Sequence, residues 1–375
     1  MKLTILQENL KKALSLVSHI TGKNINLPIL NNILIRADKG NIEMISTNLE
    51  IGIIHQLRGK IEKEGSFTVD AKIMSDYANL LPSDKVEMEE KDGCLKVGCQ
   101  NYKTKIKGEA ATEFPLIPLL DKKEYFSCSA ELFRRALSSV AFSISTNDNR
   151  VELSGVLFKF EGEDLTLVAT DSYRLAEKTI KIKRVNLDPN LSVIVPARTI
   201  QELNRILSGL NEMAVETEDG LEIKFFLSEN QILFSVDSTD LVSRLINGNY
   251  PDYKQIIPSN TKSKMTIERG ELLRAVKASA IFSKAGINDV GLELKDDKVI
   301  ISSSSGLSGE SRIELPTEVI GSNNEMIINF KYLIDGLNNI SGDRITLEMV
   351  DGSAPCLLKS DKDDNYLYIV MPIRQ

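Results

Sequence analysis

The stretch NLKKALSLV, residues 9–17, aligns without a gap on LFRRALSSV, residues 132–140, placing Leu10, Ala13, Leu14 and Val17 over Phe133, Ala136, Leu137 and Val140. Those four positions have the i, i+3, i+4, i+7 spacing of one helix face, so both stretches predict the same amphipathic helix. The offset is 123 residues, and it also superimposes ILIRADKGNIEMISTN, residues 33–48, on VLFKFEGEDLTLVATD, residues 156–171. Two separate elements in one register define an internal repeat. A third copy is fainter: LLRAVKAS from Leu272 matches the helix, and GLELKDDKVIISSSS from Gly291 matches the strand pair with a one-residue deletion.

A second helix recurs in each copy, as DAKIMSDYANLL from Asp70, PARTIQELNRIL from Pro196 and NFKYLIDGLNNI from Asn329. Each opens on a residue suited to a helix start. Around the helices, alternating segments such as KVEMEE, LEIKFFL, NQILFSV and RITLEMV, bounded by DG, EN or GD turns, predict antiparallel strands. The fold class is therefore α+β, with three similar domains, each of two helices packed on antiparallel sheet. Proline and glycine interrupt the pattern in TEFPLIP near Phe114 and in GNYPDYKQIIP near Pro251, which puts the domains at 1–122, 123–258 and 259–375.

The chain has 375 residues, 42% of them hydrophobic and 26% charged, and no apolar run of the ~18 residues a membrane span needs. The opening MKLTILQENLKKAL lacks the apolar core of a secretory leader. Four scattered cysteines, Cys94, Cys99, Cys128 and Cys356, suit a reducing compartment, and a cytoplasmic location is expected. The formal net charge is −7. A nucleic-acid partner would then need locally clustered basic residues.

Catalysis calls for a constellation of nucleophile, base or metal, and the chain has only two histidines, His19 and His55, both read as structural. Cys94 and Cys99 lie five apart on a predicted strand and point to opposite faces, which disfavours a shared metal. The run Ser302 to Ser305 lacks the glycine spacing of a phosphate loop or a nucleophile elbow. No cofactor, no metal and no catalytic residue is expected. Two rival classes stay open: a repeat scaffold that binds only protein, and a DNA-processing enzyme whose site the sequence does not display.

The threefold repeat, with LPILNNILI at residues 27–35, VATDSYRLA at 168–176, NGNYPDY at 247–253 and YIVMPIRQ at 368–375, resembles over its whole length the bacterial sliding clamps, the DNA polymerase III beta subunits. The resemblance implies a non-catalytic processivity factor for the replicative DNA polymerase. It would be a head-to-tail homodimer of six similar domains, closed as a ring around duplex DNA, with helices lining the hole. DNA binding would be topological and independent of sequence, because the chain has no zinc finger, no basic zipper and no tryptophan to stack on bases.

If helices face DNA, basic residues should recur at matching positions, since phosphates dominate such contacts. Lys12, Arg135 and Arg274 share one site in the first helix, with Lys11 and Arg134 beside them, and Lys72, Arg198 and Lys331 share one in the second. The family's DNA-contacting loop corresponds to Gly22, Lys23 and Asn24, where an arginine commonly stands in place of Asn24, so Lys23 is the expected contact.

The resemblance also implies a hydrophobic pocket for a short linear peptide carried by the replicative polymerase, the clamp loader and repair polymerases. Its walls would be Leu153, Thr170, Leu175, Pro251, Ile256, Ile369, Met371, Pro372 and Ile373, with Arg150, Arg174 and Arg374 at the rim. Ile369, Met371 and Ile373 alternate as if along one strand, facing one side together. Ser172 and Tyr173 stand where the family often has glycine and histidine, and the chain ends in Gln375 rather than a hydrophobic residue. Dimer contacts would pair Thr104 and Ile106, on an edge strand guarded by Lys103, Lys105 and Lys107, with Ile281 and Phe282. Charge is weakly complementary: residues 1–122 hold 17 Lys+Arg against 16 Asp+Glu, and residues 261–375 hold 14 against 17.

Overall fold

The computed structural model describes all residues except 23–25, 119, 148, 186–189, 212–219, 285, 307 and 374–375. Among the described residues one order of elements occurs three times: a strand, a helix, five strands, a helix, three strands. The third copy, faintest in sequence, keeps that whole order. The helices are α1 (Gln7–Val17), α2 (Ala71–Leu80), α3 (Ala130–Ala141), α4 (Ala197–Asn211), α5 (Arg269–Ala280) and α6 (Phe330–Asn339).

The apolar stripe is what each helix buries. Leu10, Ala13, Leu14 and Val17 of α1 lie in the core, as do Phe133, Ala136, Leu137 and Val140 of α3 and Leu272, Ala275 and Val276 of α5. Burying one such leucine or phenylalanine stabilises the fold by ~1.5–3 kcal/mol. Asp70 and Asn329 act as the expected caps: Asp70 Oδ1 accepts from Ile73 N at 2.8 Å and Asn329 Oδ1 from Lys331 N at 2.9 Å, satisfying first-turn amides that have no partner within the helix.

Two compact units result. The first comprises Met1–Glu131, Lys183–Leu187 and Gln201–Leu245, and the second Leu132–Ile182, Asp188–Ile200 and Ile246–Gln375. The first holds one fourteen-stranded sheet; the second holds a nine-stranded and a four-stranded sheet. In the first unit Ile51–Leu57 pairs antiparallel with Thr239–Arg244, setting Ile53 opposite Leu241. In the second, Arg174–Lys181 pairs antiparallel with Tyr366–Val370, setting Leu175 opposite Ile369. The strands Ile51–Leu57 and Arg174–Lys181 hold equivalent places in the repeat, and so do Thr239–Arg244 and Tyr366–Val370, so a single junction is built twice. Two strands of this kind lack that partner among the described residues. Gly309–Pro316, the third copy's equivalent of Ile51–Leu57, pairs only with Lys298–Ser305. Tyr102–Ala110 closes the first copy and pairs with Cys94–Cys99, but only its residues 108–110 have a second neighbour, in Gly65–Asp70.

Gly336 brings α6 close against Tyr368. A Cβ there would fall 2.2 Å from Cε1 of Tyr368, a fully buried ring whose hydroxyl donates to Tyr332 O at 2.8 Å. Gly336→Ala should therefore destabilise the protein by about 1–3 kcal/mol through overpacking, even though alanine favours helix by ~1 kcal/mol. Denaturant unfolding checks this; an equal or raised midpoint contradicts the contact.

The alternation expected for the cysteines holds, with Cys94 half-buried and Cys99 buried on successive faces of one strand. Among the described residues no helix is long and apolar enough to cross a membrane, and no group of three or more His, Cys, Asp or Glu is placed to hold a metal. His55 is buried, its Nδ1 2.9 Å from Thr239 Oγ1, and burial aided by the Lys12 charge lowers its pKa to about 4, so it is neutral at physiological pH. His19 pairs through Nδ1 with Glu202.

Candidate functional site

The turn between Asp164–Thr170 and Arg174–Lys181 is held by its own side chains. Asp171 Oδ1 accepts from the amides of Tyr173 at 2.9 Å and Arg174 at 3.0 Å, while Thr170 Oγ1 accepts from Ser172 N at 3.1 Å and donates to Arg174 O at 2.7 Å. Such Asx and hydroxyl bonds replace the ladder bonds a turn loses. Ser172 sits at φ +78°, in the left-handed region that glycine enters without steric cost. Here Arg150 Nη1 donates to Ser172 Oγ at 2.9 Å, joining the expected rim arginine to the turn.

Arg174, expected at the rim, is largely enclosed by other side chains. Its Nε donates to Asp171 Oδ2 at 3.0 Å and its Nη1 to Asp335 of α6; its guanidinium lies 4.7 Å from the Tyr332 ring centre and 5.5 Å from that of Phe142. The side chain is only 12% exposed. Tyr173, by contrast, is 62% exposed and stacks on Tyr332 with ring centres 6.3 Å apart and planes 19° from parallel.

The chain terminus reaches this turn because Tyr366–Val370 pairs with Arg174–Lys181, and Met371 N extends the ladder by donating to Tyr173 O at 2.8 Å. The expectation that Ile369, Met371 and Ile373 share one strand face needs correction. The strand ends at Val370; Pro372, with no amide hydrogen, bridges to Ile328, and Ile373 N donates to Ile327 O at 2.7 Å. The segment therefore crosses from the nine-stranded to the four-stranded sheet within three residues.

Burial divides the expected walls. Leu153, Thr170, Leu175 and Ile369 are buried and can form only a floor, whereas Pro251, Met371, Pro372 and Ile373 are half-buried and Ile256 is exposed. Leu175 and Ile369 belong to one cluster with Leu157, Val168, Ile194, Leu357 and Tyr253, onto which Ile246, Tyr250 and Ile257 pack. Tyr250 donates to Val168 O at 3.4 Å, and burial raises its hydroxyl pKa above the usual value, so it stays protonated. Thus the segment bearing Pro251 and Ile256 is laid on the sheet by its two tyrosines. Sequence reading quoted those tyrosines within NGNYPDY without giving them a role, and it missed Tyr332, Phe142 and Asp335, which lie far from residue 174 along the chain.

Of the residues expected to face DNA, Lys11, Lys72, Arg135, Arg198, Arg274 and Lys331 are exposed, and Lys12 and Arg134 are half-buried. Of the dimer set, Ile281 is 73% exposed, Thr104 and Phe282 are half-buried, and Ile106 is buried opposite Leu95, leaving its side chain little surface for a second chain. Lys23, Asn24, Arg374 and Gln375 lie outside the described residues.

Three family models match this chain in succession: the N-terminal domain of the DNA polymerase III beta subunit over residues 1–118, its central domain over 127–252 and its C-terminal domain over 254–374. The chain belongs to the DNA polymerase III beta subunit family. It comprises the three beta-clamp domains of that family. Among beta subunit relatives, the beta sliding clamp of Synechococcus elongatus is 29% identical, spanning 100% of this chain and 99% of that protein. That of Staphylococcus aureus is 28% identical, over 93% of this chain and 92% of its own length. Among solved beta subunits, a Pseudomonas aeruginosa sliding clamp bound to griselimycin superposes with a TM-score of 0.93 at 26% identity over the whole of both chains. A Thermotoga maritima beta subunit does so with a TM-score of 0.90 at 25% identity, over 100% of this chain and 99% of the other.

Proposed function

We propose that this chain is a DNA sliding clamp, a non-catalytic processivity subunit that closes as a head-to-tail homodimer around duplex DNA in the cytoplasm. The observation that carries this reading is the junction built twice within the chain and left open at both ends. An equivalent pairing between residues 102–107 of one protomer and Gly309–Pro316 of its partner would repeat that junction, and two such pairings close a ring. Closure also removes both free edges, the usual liability of an exposed strand. The domains of this clamp meet near residues 122 and 258.

Within the ring, Lys11, Lys12, Lys72, Arg134, Arg135, Arg198, Arg274 and Lys331 are the residues assigned to DNA phosphates, at helix positions that recur from copy to copy. Reversing Lys12, Arg135 and Arg274 to glutamate should lower retention on nicked circular DNA after loading, with a deficit that shrinks as salt rises. Peptide binding should not change. Full retention of the triple variant at low salt would refute the assignment of α1, α3 and α5 to the DNA face.

The second activity is capture of short linear peptides from polymerases, the clamp loader and repair polymerases. It is assigned to the floor of Leu153, Thr170, Leu175 and Ile369 and the walls of Pro251, Ile256, Met371, Pro372 and Ile373, with Arg150 at the rim. A few apolar anchors with an adaptable methionine let one groove accept several sequences.

A further inference from the structure

We infer that Asp335, on α6 of the third domain, is a positioning residue of the peptide groove, acting through Arg174 on a turn that belongs to the second domain. This inference rests on the groove assignment above. Around Arg174 lie Asp171, Asp335, Tyr332, Phe142, Tyr368 and the turn's own backbone. Asp171 is committed to the turn, since the same carboxylate accepts from Tyr173 N and Arg174 N. Among the described residues Asp335 is the carboxylate that reaches Arg174 from another element, and it shares α6 with Tyr332, which the guanidinium and the Tyr173 ring both cover.

The consequence is a rigid turn. Ser172 is in the left-handed region, a conformation serine holds only when its surroundings enforce it, and Tyr173 O receives the Met371 amide. Fixing Arg174 therefore fixes the carbonyl that anchors Met371 and the exposed ring of Tyr173 together. A planar guanidinium, bonded to one carboxylate through Nε and to another through Nη1 and lying against two aromatic rings, does this as lysine would not. With Nε committed to Asp171 and Nη1 to Asp335, the effect of Arg174 on binding is preorganisation, which lowers the ordering cost of association. Asp335 is reachable for substitution without opening a core: its side chain is 44% exposed, and its helix role, accepting from Asn339 Nδ2, uses the backbone carbonyl.

The test uses the full-length protein and a labelled synthetic peptide copying the clamp-binding motif of a replicative polymerase. Asp335→Asn keeps the shape and removes the charge. It should weaken peptide binding about five- to tenfold and speed amide exchange at Tyr173 and Arg174, with an unchanged unfolding midpoint. Combined with Arg174→Met it should be no worse than Arg174→Met alone, as two members of one link are non-additive. Met371→Ala is measured alongside. If Met371→Ala weakens binding and Asp335→Asn changes neither affinity nor exchange, the inference is wrong and the groove stands. Loss of affinity in Asp335→Asn accompanied by a lowered midpoint and uniform faster exchange also overturns it, as that is global destabilisation. If Met371→Ala binds normally, the groove assignment falls and takes the inference with it.

Discussion

Ile281→Ala combined with Phe282→Ala should give a folded monomer that binds clamp-motif peptide normally and is lost from circular DNA. Ile281 is 73% exposed at the end of α5, so its truncation costs its own domain little. Phe282 lies beside Gly309, the first residue of the strand with an open edge, and so places the pair where a second chain would dock. Burying each large apolar side chain at an interface is worth ~1.5–3 kcal/mol, and a two-fold ring loses both side chains at two interfaces, ~6–12 kcal/mol together. At 1.4 kcal/mol per decade, the dimer's dissociation constant should rise by ~10⁴-fold or more. An open crescent has no topological hold, whatever charges it carries. Sedimentation of the double variant as an intact dimer at micromolar concentration would sink the interface. Because Ile106 is already buried at home, Ile106→Ala is a poorer probe: it would create a cavity beside Leu95 and confound dissociation with unfolding.

Removing residues 371–375 should abolish peptide binding while leaving the dimer assembled. The segment supplies the half-buried Met371, Pro372 and Ile373, and its backbone ties Tyr173 O to Ile327 O. Its loss therefore takes a wall and loosens the turn that carries Tyr173. Truncation acts on both, so a single side chain isolates the wall: Met371→Ala, which leaves the Met371 amide bond to Tyr173 in place, should weaken binding by roughly tenfold or more, the value of one buried apolar anchor. Fluorescence anisotropy with labelled peptide measures both variants. Unchanged affinity in either one would refute the groove.

The sequence alone determined the threefold order. A helix needs only a stripe at i, i+3, i+4 and i+7, and a strand only alternation, so Leu10 with Ala13 and Leu14, or the run at residues 33–48, carry their structure locally. The recurring Lys12, Arg135 and Arg274 were legible for the same reason, since an offset of 123 residues is a property of the string. Tertiary structure decided which partners those elements meet. That Leu175 faces Ile369, that Ile53 faces Leu241, and that Tyr332, Phe142 and Asp335 gather around Arg174 follow from sheet register and helix docking, to which no local spacing points. Tertiary structure likewise made the arginine expected at a rim a largely enclosed link, and one strand face a crossing between two sheets. Pairing energy lies in hydrogen bonds and packing between segments, and a sequence records each segment's readiness to pair without recording its partner.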